Sequence, residues 1–366
     1  MAIKNTVKKS FSRKGTMPTF QGKTLLVCGG AGFIGSNFIR HILGTYPKVT
    51  IVNLDKLTYS GNLDNLRECT RDERYTFVRG DVADQKKIKS VFKKYKPDYV
   101  INFAAETHVD RSIHVGSLEF INTNVVGVFN ILEAVKELGT VQKYVQVSTD
   151  EVYGSLELDT KELFTEETAF APNVPYAATK ASGDMLCRSY HSTWKLPVVV
   201  THCSNNYGPQ QYPEKLIPFF ILRVLEGKKV PLYGDGYNVR DWIYVLDHCE
   251  ALELCLLNGR EGAVYNIGAD NELNNRDIAG RILKYFNQGE DMIEFVTDRP
   301  GHDRRYAIDA SLIQKELGWK PRHSFEKAFA ETIEWYLANA KWIEKVRKKT
   351  GVFNPHIDLW RKHDIK

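Results

Sequence analysis

Three groups of residues in this chain have types and spacings suited to chemistry. Ser148-Thr149-Asp150-Glu151-Val152-Tyr153-Gly154 sets a hydroxyl pair and two adjacent carboxylates directly after the apolar run 144–147. Such groups are poor core material, but beyond the carboxyl end of a strand in an open parallel sheet they face the ligand crevice. Tyr176 and Lys180 follow Pro175, which suits a helix start, so they stand one turn apart on one face. An ammonium beside a phenol lowers the phenol's pKa, and a phenol so tuned acts as a general base near neutrality. Gly29, Gly32 and Gly35 come after the apolar segment Thr24–Cys28 and before Phe38, Ile39, Ile42 and Leu43 at helical spacing. Strand, glycine-rich turn and helix form a phosphate cradle: the turn uses backbone without Cβ, and the helix N-terminus favours the pyrophosphate. Taken alone, the heptapeptide reads equally well as a solvated loop, and Tyr-x-x-x-Lys is common on helices. The dinucleotide context decides for both.

That context extends through the first 200 residues. A second strand at 49–54 ends in Asp55, 20 residues beyond Gly35. A carboxylate there accepts bonds from the adenine ribose hydroxyls and repels a 2′-phosphate, which points to NAD over NADP. Further strands are expected at 75–79, 99–103, 144–147 and 198–201, with helical patterns at 85–95, 117–138 and 176–194 between them. The alternation predicts an α/β fold, a doubly wound parallel Rossmann sheet of order 3-2-1-4-5-6. Asp81, after strand three, is a candidate for the adenine end. Beyond 201 the alternation loosens. We expect a polar loop at 203–209, a turn-like stretch at 231–236, a strand at 240–245 returning toward the sheet, and helices at 312–317 and 325–337. This predicts a smaller, interwoven C-terminal substrate lobe. The expected division is a basic tail over 1–21, a nucleotide domain over 22–201 with 237–262 returning to it, a substrate lobe over 202–236 and 263–345, and a C-terminal extension over 346–366.

Composition narrows the partners. The net charge of +5 sits in the tail, where Lys4, Lys8, Lys9, Arg13 and Lys14 meet no acidic residue; the remaining chain carries 45 basic and 45 acidic residues. A nucleic-acid partner is therefore not expected, since such a domain carries its excess charge in the fold. The tail reads as a disordered basic extension more readily than as a targeting segment. No uninterrupted apolar run reaches about 18 residues, so no membrane span is expected. The six cysteines show no C-x-x-C pairing. They read as reduced thiols of a cytoplasmic protein, with no metal site.

The motifs GGAGFIG (29–35), LDKLTYSGNL (54–63), AAETHVDRSI (104–113), STDEVYG (148–154), YAATK (176–180), SNNYGPQQYPEKLIP (204–218) and RPGHDRRYAID (299–309) resemble those of the nucleotide-sugar 4,6-dehydratases, members of the extended short-chain dehydrogenase/reductases. The likeness runs from about residue 23 to 336, and within the family it is to the members that act on dTDP-glucose. Cys28 stands where the family usually has Thr, and Thr107 where it often has Ser; neither change removes a needed group. The resemblance implies Thr149 as the hydroxyl on sugar O4, Asp150 as general acid, Glu151 as general base, Tyr176 as oxidation base and Lys180 as its partner and ribose ligand. It implies NAD contacts from Gly29, Gly32, Phe33, Ile34, Gly35, Asp55, Lys56, Thr58, Asp81, Val82, Phe103, Ala104, Ala105, Thr107, Thr123, Tyr176, Lys180 and Asn206. For the nucleotide-diphosphate sugar it implies Thr107, Thr149, Asn205, Lys215, Leu216, Pro231, Tyr233, Arg240, Asn275, His302, Arg305 and Tyr306. Arg304 is a further candidate donor to the diphosphate. A homodimer through the helices at 117–138 and 176–194 is implied as well. Other readings stay open: a dehydratase of UDP- or CDP-linked sugars, a 4-epimerase, or a non-catalytic NAD-binding protein. The adjacent carboxylates weigh against the epimerase, which has no C5 and C6 chemistry to perform.

Overall fold

The computed structural model describes residues 18–114 and 116–350; most of the basic tail, 1–17, and the end of the C-terminal extension, 351–366, lie outside the described residues. Strands β1 (Thr24–Cys28), β2 (Thr50–Asp55), β3 (Tyr75–Arg79), β4 (Tyr99–Asn102), β5 (Lys143–Thr149) and β6 (Val198–Cys203) pair in parallel in the order β6-β5-β4-β1-β2-β3. This is the expected order. Helices cover both faces, so the central strands read as continuous apolar runs without a polar side. Successive β1 residues serve opposite cores. Leu25 and Val27 pack with Phe38 and Ile39 of the helix Phe33–Thr45. Leu26 and Cys28 pack with Ile88, Val91 and Phe92 of the helix Gln85–Tyr95 and with Val128, Ile131 and Leu132.

Local chemistry sets the helix ends. Asp84 caps Gln85–Tyr95 by accepting from Lys87 N at 3.0 Å, an N-cap bond worth about 1 kcal/mol. The helical segment Leu118–Leu138 carries a π turn at Asn122–Val126 and stops at Gly139, whose φ of 66° is left-handed. Pro175 opens the 20-residue helix Pro175–Trp194, as the sequence predicts.

The second half of the chain departs from the sequence reading in four places. The polar segment after β6 contains a strand, β7 (Asn205–Tyr207), and the turn-like stretch begins with another, β8 (Val230–Tyr233). The strand expected to return to the sheet, β9 (Val239–Tyr244), instead joins β7 and β11 (Glu272–Asn274) in a separate three-stranded sheet. The seventh place in the main sheet goes to β10 (Val264–Ile267), which the sequence reading assigns to the substrate lobe. Its register with β6 runs from Val264 opposite Val200 to Ile267 opposite Cys203. Both segments are short, and their tertiary partners decide which of them joins the main sheet. Of 237–262, the helix Val245–Asn258 packs on Phe33–Thr45. A last strand, β12 (Ile293–Val296), pairs with β8. One hydrophobic core joins β1 and Phe33–Thr45 to β9, the helices Leu216–Leu225 and Asn275–Tyr285, and the C-terminal helices, so the lobes are interwoven.

Candidate active site

A long cavity opens beyond the carboxyl ends of β1, β4, β5 and β6. Its cofactor end is built on the turn between β1 and the first helix. Gly29 has φ +77°, and a Cβ there would stand 2.5 Å from the backbone nitrogen of Ala104, so only glycine lets β1 and β4 end side by side. Gly32 precedes the helix without a side-chain cap, and the nearest atom to a Cβ built there is 3.4 Å away. The first-turn N–H groups therefore meet the cavity over open backbone, as a pyrophosphate needs. Asp55 ends β2 and is buried, its two oxygens accepting from Leu57 N at 2.7 Å and Ala31 N at 2.9 Å. Lys56 pairs with Asp81 at 2.7 Å. The residues present thus fit a dinucleotide with free ribose hydroxyls. Every residue expected to contact NAD lines this cavity, from Gly29 to Asn206.

At the other end, β5 delivers the heptapeptide. The strand stops at Thr149, and a short 3-10 turn, Asp150–Tyr153, follows at once. Gly154 (φ +92°) ends that turn; a Cβ there would lie 2.6 Å from the Ala171 carbonyl oxygen. Thr149, Asp150 and Glu151 consequently face the cavity together with Tyr176 and Lys180. Thr149 Oγ1 donates to Asp150 Oδ1 at 3.3 Å, while Asp150 Oδ2 and Glu151 Oε2 are buried without a partner. Buried polar atoms are normally satisfied, so two orphaned carboxylate oxygens aimed into one cavity mark a place for a ligand.

The surroundings divide the two acids. Burial first, and the Glu151 charge second, push the Asp150 carboxyl well above the usual range; Arg240 is the one cation among the main opposing influences. Burial also raises Glu151, but Arg299, Lys215 and Arg240 all oppose it. Asp150 is therefore the acid more favoured to hold a proton, and Glu151 the better placed of the two to ionise. For Tyr176 the expected lowering by Lys180 is corrected. Burial, followed by Glu151 and other anionic neighbours, pushes the phenol well above its ordinary value, against a hydrogen bond from Thr149. Lys180, its own pKa lowered by burial, donates from Nζ to the Val147 carbonyl at 2.7 Å.

The nucleotide-lobe residues divide as well. Thr107, Thr149, Asn205 and Lys215 line the cavity; Leu216, Pro231, Tyr233, Arg240, Asn275, His302, Arg305 and Tyr306 do not. Arg240 remains close enough to influence both carboxylates while donating to the Asp303 carbonyl at 3.0 Å and lying 4.1 Å over the Tyr306 ring. His302 pairs with Asp298 at 2.6 Å, and burial, opposed by that partner, lowers its pKa to about 4. The guanidiniums of Arg304 and Arg305 are engaged elsewhere. Arg304 makes two bonds to Asp235 at 3.0 and 2.9 Å. Buried Arg305 grips Glu272 at 2.7 and 3.0 Å and the Glu162 carbonyl at 2.9 Å. These contacts make Arg305 a brace between segments rather than a ready anion donor. Sequence reasoning passed over Arg299, whose buried Nε has no partner and whose charge is the leading cation acting on Glu151. Its only sequence signal was its place at the start of RPGHDRRYAID. Glu214 was also missed. It lines the cavity, accepts from the Tyr59 hydroxyl at 2.9 Å, and is pushed by burial to about 7.

A dinucleotide cradle, a Tyr–Lys pair and two electrostatically divided carboxylates in one crevice define a sugar-nucleotide oxidoreductase site of the extended short-chain type. The chain belongs to the family whose model is described as GDP-mannose 4,6 dehydratase, matched over residues 26–332. It is 47% identical over 356 residues to the dTDP-glucose 4,6-dehydratase of Salmonella typhimurium, covering 91% of this chain and 98% of that one. Among solved structures it is similar to the dTDP-glucose 4,6-dehydratase of Bacillus anthracis in complex with NAD, at 48% identity and TM-score 0.83, over 88% of this chain and 99% of that one. The Streptomyces venezuelae dTDP-glucose 4,6-dehydratase with NAD and TYD bound stands at 45% identity and TM-score 0.84, with the same coverage.

Proposed function

We propose that the chain catalyses the NAD-dependent conversion of dTDP-glucose to dTDP-4-keto-6-deoxyglucose. The observation that carries this reading is the pair Asp150–Glu151, adjacent in sequence, each with one carboxylate oxygen unpartnered in the cavity beside Tyr176, both raised by burial but with more cations opposing the rise at Glu151. The dTDP-linked sugar is supported by the relatives at 45–48% identity.

The proton work follows from the residues. Thr149 and Tyr176 hold the sugar O4 hydroxyl, and the Tyr176 phenolate takes its proton. Lys180, fixed on the Val147 carbonyl, supplies the positive charge that favours phenolate at that moment. NAD, when bound, accepts the C4 hydride and later gives it back at C6. The 4-ketone so formed makes the C5 proton acidic, and Glu151 removes it. Asp150 passes its proton to the C6 hydroxyl, which leaves as water; Glu151 then returns a proton to C5. Asn205, Lys215, Arg240 and Arg299 are proposed to hold the nucleotide diphosphate. In this reading the cationic guanidiniums keep Glu151 ionised as well as gripping phosphate.

The test is turnover of dTDP-glucose carrying deuterium at C4, set against UDP- and CDP-glucose. The dTDP-linked sugar is expected to yield the 4-keto-6-deoxy product, with the other two slower by roughly tenfold or more. A faster UDP or CDP substrate would reassign the nucleotide.

A homodimer completes the proposal. Leu118, Ile121, Val126 and Phe129 on one helical segment and Met185 and Trp194 on the next are exposed, Leu118 by 68% and Met185 by 62%. The two helical segments pack on each other, and exposed apolar side chains grouped on them are proposed as an interaction face. The segment Leu118–Leu138 is also long and apolar enough to cross a membrane, but half of it is buried in the protein and its Thr123 lines the cavity. Sedimentation is expected to show two 41.9-kDa chains, dissociated by Met185→Glu; a monomer at micromolar concentration would contradict it. Six buried, unpaired cysteines among the described residues support a reducing compartment, the cytoplasm.

A further inference from the structure

The helix Ala340–Thr350 lies beyond the segment matched by the family model, which ends at residue 332. It is nevertheless fastened to the nucleotide-binding half of the molecule. Trp342, Ile343 and Val346 are buried, and Trp342 Nε1 donates to Asn65 Oδ1 at 2.8 Å. Lys345 Nζ lies 2.9 Å from Asp64 Oδ2. One turn further on, Lys349 Nζ donates to the carbonyl oxygens of Thr58 and Gly61, at 2.8 and 2.6 Å.

Both carbonyls belong to the loop that leaves Asp55, and this loop lines the cofactor end of the cavity through Lys56, Thr58, Ser60 and Gly61. The loop does not hold its shape by propensity alone. Leu57 sits at φ +59°, a left-handed conformation that is disfavoured for a residue with a side chain. The ammonium bridging two of its carbonyls supplies an external hold on that shape. The same charge opposes the burial that pushes the Asp55 carboxyl up, alongside the N–H groups of Leu57 and Ala31. An ionised Asp55 is the better acceptor for ribose hydroxyls.

We propose that Lys349 is a positioning residue for the cofactor: the terminal helix clamps the 56–61 loop over the adenosine end of the cavity and slows release of NAD. The clamp rests on the reading that this cavity holds NAD. It suits a reaction in which the hydride removed from the sugar must be returned by the same cofactor molecule, because release in mid-cycle would strand the ketone.

The test compares NAD retained through gel filtration, the NAD dissociation rate, and amide hydrogen exchange within 56–61 in NAD-free protein. Lys349→Ala is expected to release NAD roughly tenfold faster and to exchange faster in the loop, with Lys349→Arg close to wild type. Lys348→Ala is the control, since Lys348 pairs with Glu344 on its own helix at 2.6 Å; it should retain NAD. Equal retention by Lys349→Ala would overturn the clamp, as would an equal loss in Lys348→Ala or a loss that arginine does not repair. A wild-type protein that takes up no NAD would overturn the cofactor reading itself, and the clamp with it.

Discussion

Glu151→Gln is expected to reduce bound NAD on dTDP-glucose and then stop. The glutamine keeps the shape of the side chain and its place at the end of β5, but it has no lone pair basic enough to take the C5 proton. In the proposed mechanism oxidation at C4 relies on Tyr176, Lys180 and Thr149, none of which is altered in this variant. The nicotinamide absorbance should therefore rise with substrate and persist, while formation of the 4-keto-6-deoxy product falls by roughly 10²–10⁴, the usual contribution of a positioned acid or base. The electrostatics give the reason to single out Glu151 rather than its neighbour as the base. Arg299, Lys215 and Arg240 all favour its ionised form, whereas Asp150 faces burial and the Glu151 charge with Arg240 as the main cation in opposition. Stopped-flow absorbance with product analysis by mass checks the prediction. Wild-type turnover in this variant would remove Glu151 from the mechanism.

Tyr176→Phe is expected to block the cycle one step earlier. Burial and the nearby carboxylates hold the phenol well above its ordinary pKa, so the protein alone does not generate a phenolate near neutrality. In the proposed mechanism Lys180, together with the positive charge that a bound oxidised nicotinamide would supply, favours the phenolate at that oxygen. Without the oxygen, O4 keeps its proton and the hydride cannot leave C4. Reduction of NAD on substrate should slow by roughly 10²–10⁴, with no accumulation of reduced cofactor. Rapid mixing with dTDP-glucose separates this from the Glu151 variant: one accumulates reduced cofactor and the other does not. A wild-type burst of reduced cofactor in Tyr176→Phe would assign the oxidation base elsewhere.

The cofactor end of the site was legible in the sequence because it is local. Gly29, Gly32 and Gly35 lie in one turn between consecutive elements, and Asp55 closes the next strand. Side chains that follow the carboxyl ends of neighbouring parallel strands must meet, so the whole expected NAD set lines one cavity. The residues proposed to be catalytic come together in one cavity for the same reason. Thr149 ends β5, Asp150 and Glu151 open the turn that follows it, and Tyr176 and Lys180 share one face of the following helix. What escaped depends on contacts between distant segments. β9 and β10 are both brief, and which of them completes the main sheet is decided by pairing with β6, some 60 residues before β10 in the chain. Arg304 and Arg305 resemble phosphate donors in sequence, yet Asp235 and Glu272 take up their guanidiniums. Arg299 matters through an unpaired buried nitrogen, and Lys349 through carbonyls nearly 300 residues away. A linear pattern records neither property.

The most direct measurement of the central claim is the fate of the C4 hydrogen in a single turnover of dTDP-glucose deuterated at that position. If one cofactor molecule removes and returns the hydride while Glu151 and Asp150 carry out the elimination, the deuterium must appear at C6 of a dTDP-linked 4-keto-6-deoxy sugar, with C5 carrying hydrogen from the solvent. Deuterium retained at C4 of a sugar whose C4 configuration has inverted would identify an epimerase and contradict the account. Deuterium lost to the medium would contradict it as well, because the hydride would then not have been returned within the site.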